Sequence, residues 1–270
     1  MTSKDKRQRE LSRQKAVRRA ERREQAAQRR RRRTQVVVGA LVAALVLTML
    51  IGLVTGLGGQ DDTAAAPDTP AGATDGSAGD VQCDYIDNAP DPSTVTDVGR
   101  PPSDPGDLGE LTATLTLNGA PVVISLDGSA AACTASSWEF LAAADYFDDT
   151  VCHRLTTSDT LGVLQCGDPS GTGRGGPGYR FAQENVAGAT YTAGTVAMAN
   201  TGQEASTGSQ FFIVHSDSVL PADYTVVGEV VDGLDVVSEI AEAGTVGGGT
   251  DGTPSEGADV SDLVVERNPS

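Results

Sequence analysis

Cys152-His153-Arg154 stands eleven residues ahead of Gln165-Cys166, and these side chains concentrate most of the chemistry available to the chain. Only two histidines occur, His153 and His215, and only four cysteines, Cys83, Cys133, Cys152 and Cys166. A hydrolase or zinc enzyme would announce itself by a nucleophile beside a base or by closely paired ligands. No G-x-S-x-G, H-E-x-x-H or P-loop lysine is present, and nothing positions a nucleophile beside either histidine. The run GTGRGG, Gly171 to Gly176, matches a dinucleotide fingerprint in letters only, because Pro177 and Gly178 follow where a helix would have to begin. It reads as a loop. Without a C-x-x-C pair the four cysteines suit two disulfides better than zinc, and neither metal nor cofactor is expected.

The elements that must hold these residues are short and β-rich. LTATLTLNG and APVVISLDG alternate apolar and polar residues around Asn118-Gly119, a hairpin signal. TVCHRLT, GVLQCGD, TYTAGTVAMAN, SQFFIVHS and YTVVGEV read as further strands, and DLVVER as a last one. Thr134 to Phe147 places Trp138, Leu141 and Tyr146 at helical spacing, and Asp235 to Gly244 predicts a second helix ended by glycine. Many short strands with two helices predict a mainly β closed barrel capped by α-helices.

Ahead of this domain the chain changes character twice. Residues 1–34 hold 15 of the 20 Lys and Arg but only four of the 37 acidic residues, which leaves five basic and 33 acidic residues for the rest. Between the two regimes Val36 to Leu57 forms an uncharged apolar run of 22 residues. At about 1.5 Å rise per residue this length spans the ~30 Å hydrocarbon core, so a transmembrane helix is expected over 35–57. Arg29 to Arg33 precede it directly, which predicts a single-pass cell-membrane protein with a basic cytoplasmic tail near anionic lipid heads and the rest of the chain outside. A cleaved signal peptide, cut in the Ala64-Ala65-Ala66 tract, is the rival reading. The run is longer and its leader more extended than such a peptide has, which favours the anchor. Residues 58–110, rich in Gly, Ala, Asp, Thr and Pro, read as an acidic linker whose middle Cys83 and Tyr85 can pin to the domain. Such acidity disfavours nucleic acid as a partner.

Specificity enters between Val151 and Gly228. TVCHRL, VLQCGDP, GTVAMAN, TGSQFFI and VVGEV occur in that order. Together they resemble the cyclophilin family, whose core carries an F-H-R strand, a Q-G-G-D strand, an M-A-N strand and an S-Q-F-F strand. The resemblance covers roughly residues 111–267 and implies an eight-stranded antiparallel barrel capped by two helices, acting as a peptidyl-prolyl cis/trans isomerase.

By that resemblance Arg154 matches the catalytic arginine and Gln165 the glutamine that orients it. Phe212 matches the floor of the proline pocket, Val163 its wall and Leu220 its rim. Tyr224 stands where the family has a histidine near the pocket, and Ala199, Asn200 and Gln210 match the groove that binds peptide main chain. Period two puts Gln210 with Phe212, and Val163 with Gln165, on shared faces, while Phe211 points to the core. The same parity turns His153 inward, as a hydrogen-bonded structural residue rather than a base. Departures cluster at the pocket: Gly162 replaces an aromatic, Val219 falls on the family's tryptophan, Val227 on a phenylalanine, and the TTSDT and GQEAST loops are longer. A shallower, less aromatic pocket follows. Its substrates are expected to be proline-containing exported polypeptides, with a non-catalytic proline-peptide chaperone or scaffold as the alternative. Parity also implies that a direct Cys152 to Cys166 bridge needs a bulge, which favours tying Cys83 or Cys133 into the barrel.

Overall fold

The computed structural model describes residues 81–88 and 94–268. The basic tail, the expected transmembrane helix and the first part of the linker lie outside them. Among the described residues no helix is long and apolar enough to cross a membrane.

The hairpin forms as the sequence predicts. Strands β2 (Glu110–Leu117) and β3 (Ala120–Asp127) pair in register through all eight residues. Asn118 and Gly119 both have positive φ, 50° and 84°, the twist a two-residue hairpin turn requires. Every second side chain of β2 (Leu111, Ala113, Leu115, Leu117) is fully buried, so one face lines the core. The remaining strands are β1 (Ile86–Asp87), β4 (Thr150–Val151), β5 (Arg154–Ser158), β6 (Leu161–Cys166), β7 (Tyr179–Arg180), β8 (Thr195–Met198), β9 (Phe211–Ser216), β10 (Val226–Asp232), β11 (Asp251–Gly252) and β12 (Asp259–Arg267).

Ten of these form one antiparallel sheet in the order β11-β5-β6-β9-β8-β10-β3-β2-β12-β4. This corrects the expectation of a closed eight-stranded barrel: the sheet has ten strands, curls, and stays open. Its edge strands β11 and β4 are two residues long, too short to carry a ladder that would close the ring. One isolated bridge, Val151 with Asp168, and a disulfide between Cys152 and Cys166 tie the β4 edge to the end of β6 instead. The two cysteines can meet because residues 152 and 153 leave the strand before β5 begins at Arg154. The expected tie of Cys83 or Cys133 to a barrel cysteine is likewise replaced, because Cys83 pairs with Cys133.

Among the described residues two helices pack against the main core. Helix α1 (Ala132–Ala143) buries Trp138 and Leu141 completely, and the Trp138 indole N–H donates to Met198 Sδ at 3.2 Å. It begins two residues earlier than Thr134 because Glu184, from across the chain, caps it. The Glu184 carboxylate accepts the N–H groups of Cys133 (3.0 Å) and Thr134 (2.8 Å), donors that a helix start leaves unpaired. It ends before Phe147, since Asp145 adopts a left-handed φ of 54° and breaks the spiral. Helix α2 (Leu234–Ala243) buries Val237 and Ile240 and stops at Gly244.

The packed region starts well before residue 111. β1 pairs with β7, the Tyr85 hydroxyl donates to the Cys133 carbonyl at 2.7 Å, and the Tyr85 ring stands edge-on to Tyr179 and Phe181. Leu108 is buried in the main core as well.

Candidate active site

A single row across five adjacent strands assembles the site. Arg154 of β5 faces Gln165 of β6, Gln165 faces Phe212 of β9, Phe212 faces Ala197 of β8, and Ala197 faces Val226 of β10. Facing residues of neighbouring strands put their side chains on the same side of the sheet. Residues one step along, Leu155, Leu164, Cys166, Phe211, Ile213, Val196 and Met198, fall into the main core on the other side. Period two therefore sorts charged and apolar site residues to one face and packing residues to the other.

The apolar end of the row is a second cluster, separate from the main core. Val163, Tyr191, Ala197, Phe212 and Val214 are buried there, and Ala199, Leu220, Tyr224 and Val226 pack against them. Three rings meet edge-on or tilted: Phe212 with Tyr224 at 5.5 Å, Tyr191 with Tyr224 at 6.0 Å, and Tyr191 with Phe212 at 6.2 Å. Tyr191 was not anticipated from the sequence. Its hydroxyl accepts the Tyr224 N–H and donates to the Tyr224 carbonyl, each at 3.0 Å, so it sets where the Tyr224 backbone lies. The pocket is consequently richer in aromatics than the letters at positions 162, 219 and 227 imply. A side chain at Gly162 would have to displace the Ser216 Oγ, which lies where its Cβ would stand. Val219 is 80 % exposed and adds nothing to the wall.

The polar end is a continuous relay. Arg154 Nη1 donates to Gln165 Oε1 at 3.3 Å, Gln165 Nε2 donates to Gln210 Oε1 at 2.8 Å, and Gln210 Nε2 donates to the Gly175 carbonyl at 3.0 Å. The GTGRGG loop thereby acquires a role as the far anchor of this chain. Asp168 holds that loop in shape, its carboxylate accepting the N–H groups of Ser170, Thr172, Gly173 and Gly175. Burial alone would raise the Asp168 pKa, but the Ser170 hydroxyl and the Gly175, Ser170 and Gly173 amides outweigh it and hold the carboxyl below its ordinary value.

On its other flank Arg154 makes a two-pronged ion pair. Nε and Nη2 donate to Asp251 Oδ1 and Oδ2 at 2.9 and 2.7 Å. The side chains stay 40 % and 55 % exposed, so the guanidinium remains at the surface of the groove. Hydrogen bonding to Asp251 raises the Arg154 pKa against the lowering effect of partial burial, and Arg154 in turn depresses the Asp251 carboxyl. Both partners are charged at every ordinary pH. No local signal marked Asp251, which lies 97 residues from Arg154 in a glycine-rich loop.

Two expected residues behave differently. Asn200 commits both ends of its side chain to backbone, donating to the Asp223 carbonyl of the loop after β9 at 2.9 Å and accepting the Gly202 N–H of its own loop at 2.8 Å. Ala199 donates its N–H to the Gln210 carbonyl at 2.9 Å, fixing the groove wall. The His153 ring nitrogens are buried, yet neither has a hydrogen-bond partner among the described residues, which corrects the expectation of a bonded histidine. Burial, assisted by Arg154 and opposed by Asp168, lowers its pKa and keeps the ring neutral.

Residues 112–264 match the family described as cyclophilin type peptidyl-prolyl cis-trans isomerase/CLD. The chain belongs to the cyclophilin family. Similar chains include the probable peptidyl-prolyl cis-trans isomerase B of Mycobacterium tuberculosis (strain ATCC 25618 / H37Rv), 38 % identical over 202 residues that cover 69 % of this chain and 64 % of that one. The protein of the same description from Mycobacterium leprae (strain TN) is 39 % identical over 202 residues, 69 % of this chain and 67 % of its own. This cyclophilin thus spans 64 % of the length of the first of these relatives. A solved cyclophilin type isomerase of Cryptosporidium parvum superposes with a TM-score of 0.52 at 25 % identity, covering 59 % of this chain and 99 % of that one.

Proposed function

We propose that this cyclophilin is a peptidyl-prolyl cis-trans isomerase in which Arg154 stabilises the twisted amide of an X-Pro bond held over the Phe212 pocket. The observation that carries the reading is the row joining a half-exposed guanidinium, through Gln165, to the aromatic cup of Phe212, Tyr191 and Tyr224. Rotation about an X-Pro bond faces a barrier of about 20 kcal/mol because amide resonance must be broken. As the bond twists, the prolyl nitrogen regains its lone pair and becomes an acceptor. A cationic donor that meets that lone pair binds the perpendicular form better than the planar one, which is the condition for catalysis. Nη1 and Nη2 each keep a hydrogen beyond those given to Gln165 and Asp251, so donors are available for this step. No proton transfer, nucleophile, metal or cofactor enters.

The substrates we propose are exported proline-containing polypeptides, handled close to a membrane in which residues 35–57 are embedded with the N-terminus cytoplasmic. The apolar run and the arginines before it support that placement, as does the use of all four cysteines in two disulfides, a pattern of oxidising compartments. The missing ring at Gly162 favours a second reading, a holder of proline segments that does not catalyse. One experiment separates them. In the full chain, Arg154→Ala should lower kcat/KM on an Ala-Pro tetrapeptide about a hundredfold while peptide binding persists. Equal activity in the variant and the parent would reject the catalytic assignment, and binding without activity in both would establish the holder.

A further inference from the structure

Among the described residues the Asp251 carboxylate hydrogen-bonds one side chain, the arginine of the proposed site. β11 exists as two residues paired to β5, with Asp251 opposite Thr156 and Gly252 opposite Leu155. The loop around it braces itself: Thr157 donates its N–H to the Thr250 carbonyl at 2.9 Å, Val246 to the Thr253 carbonyl at 2.8 Å, and Thr245 Oγ1 to the Gly249 carbonyl at 2.5 Å. None of these bonds involves the Asp251 carboxylate, so the loop does not depend on it. Thr156 lies two residues along β5 from Arg154, on the same face, which brings the carboxylate diagonally across to the guanidinium.

We propose that Asp251 is the positioning residue of Arg154. This rests on the isomerase reading above. An arginine standing on a strand at 40 % exposure has many rotamers open to it, and Gln165, at 3.3 Å, is a single neutral acceptor. Gripping Nε and Nη2 together fixes the plane of the guanidinium, because two parallel hydrogen bonds define an orientation where one defines only a direction. Asp251 on one flank and Gln165 on the other then leave the free hydrogens of Nη1 and Nη2 pointing the same way in every molecule. A transition-state donor that needs no reorientation is worth more than one that must be ordered during the reaction. Asp251 acts through Arg154 and does not touch the substrate.

The test is a cycle of four full-length chains: parent, Asp251→Ala, Arg154→Ala and the double variant, with Asp251→Asn as a conservative partner. Each is assayed for kcat and KM on an Ala-Pro tetrapeptide p-nitroanilide. Asp251→Ala should lower kcat about tenfold with KM changed less than about twofold, since orientation and not ground-state binding is lost. Asp251→Asn, which can still accept one hydrogen bond, should recover part of kcat. With Arg154 already removed, Asp251→Ala should change kcat/KM by less than about twofold. An unchanged or raised kcat in Asp251→Ala overturns the inference, as does an equal fold loss in both backgrounds, which would trace the effect to the loop. If Arg154→Ala is as active as the parent, the catalytic role of Arg154 falls and this inference with it. If Arg154→Ala is inactive while Asp251→Ala is not impaired, only the positioning role falls.

Discussion

Replacing Cys152 and Cys166 together by alanine should destabilise the domain by about 3 kcal/mol, the loop-closure entropy returned to the unfolded chain when a cross-link of sequence separation 14 is lost. The same argument gives about 4 kcal/mol for Cys83 and Cys133, whose separation is 50. The order of the two is the sharper expectation, because it depends only on loop length. For a domain of this size the smaller loss lowers Tm by roughly 6–12 °C. Trp138 makes a suitable reporter: it is the only tryptophan, and it is fully buried against Phe147, Phe211 and Met198. Urea unfolding followed by its emission yields the midpoint and slope for each variant. Activity supplies a second readout. Cys152 and Cys166 flank Arg154 and Gln165, but those two are held by a ladder of five register pairs between β5 and β6 that does not need the disulfide. At a temperature where the variant is fully folded, kcat/KM should therefore fall less than about threefold. A Cys152/Cys166 variant as stable as the parent, or one hurt more than the Cys83/Cys133 variant, would refute the chain-entropy reasoning. A collapse of activity in a folded variant would show that the staple, and not the ladder, sets the site.

Tyr191→Phe removes the hydroxyl that satisfies both backbone groups of Tyr224, so KM for a proline peptide should rise about threefold and stability should drop about 1–2 kcal/mol, measured by steady-state kinetics and urea midpoint. Glu184→Ala uncaps helix α1 and should cost about 1–2 kcal/mol in the same unfolding assay, with kcat unchanged at low temperature. Burial, with Asp145 and other nearby carboxylates adding to it, pushes the Asp148 pKa up to about 6 from its ordinary 3.8. A carboxyl whose folded pKa is raised destabilises the folded state as pH climbs from the unfolded value through the folded one. Asp148→Asn should thus stabilise the domain by about 1 kcal/mol at pH 7 after allowance for solvent screening, and by nothing measurable at pH 3.5, read from melting curves at both pH values.

Some residues could be read from their neighbours and some could not. Arg154, Gln165 and Phe212 were visible because motif letters and period two both act within a strand, and these three stand opposite one another in the β5–β6 and β6–β9 ladders. The same parity misled at Cys152, since it assumes an unbroken strand and the chain leaves the ladder at residues 152 and 153. Gly162 contributes no ring to the candidate pocket, whereas Tyr191 packs against Phe212, and no spacing rule connects those two.

The amino-acid order alone determined what repeats over a few residues: the Asn118-Gly119 hairpin, the alternation that divides site from core, the glycine stop of the second helix and the family to which the domain belongs. Only tertiary structure decided the partners that arrive from far along the chain: Asp251 on Arg154 from 97 residues away, Glu184 on helix α1 from 50, and Tyr191 on Tyr224 from 33. It also decided that the sheet stays open. Local pattern specifies which way a side chain points, because strand and helix geometry are fixed by the backbone, but it carries no information on what meets that side chain when distant segments pack.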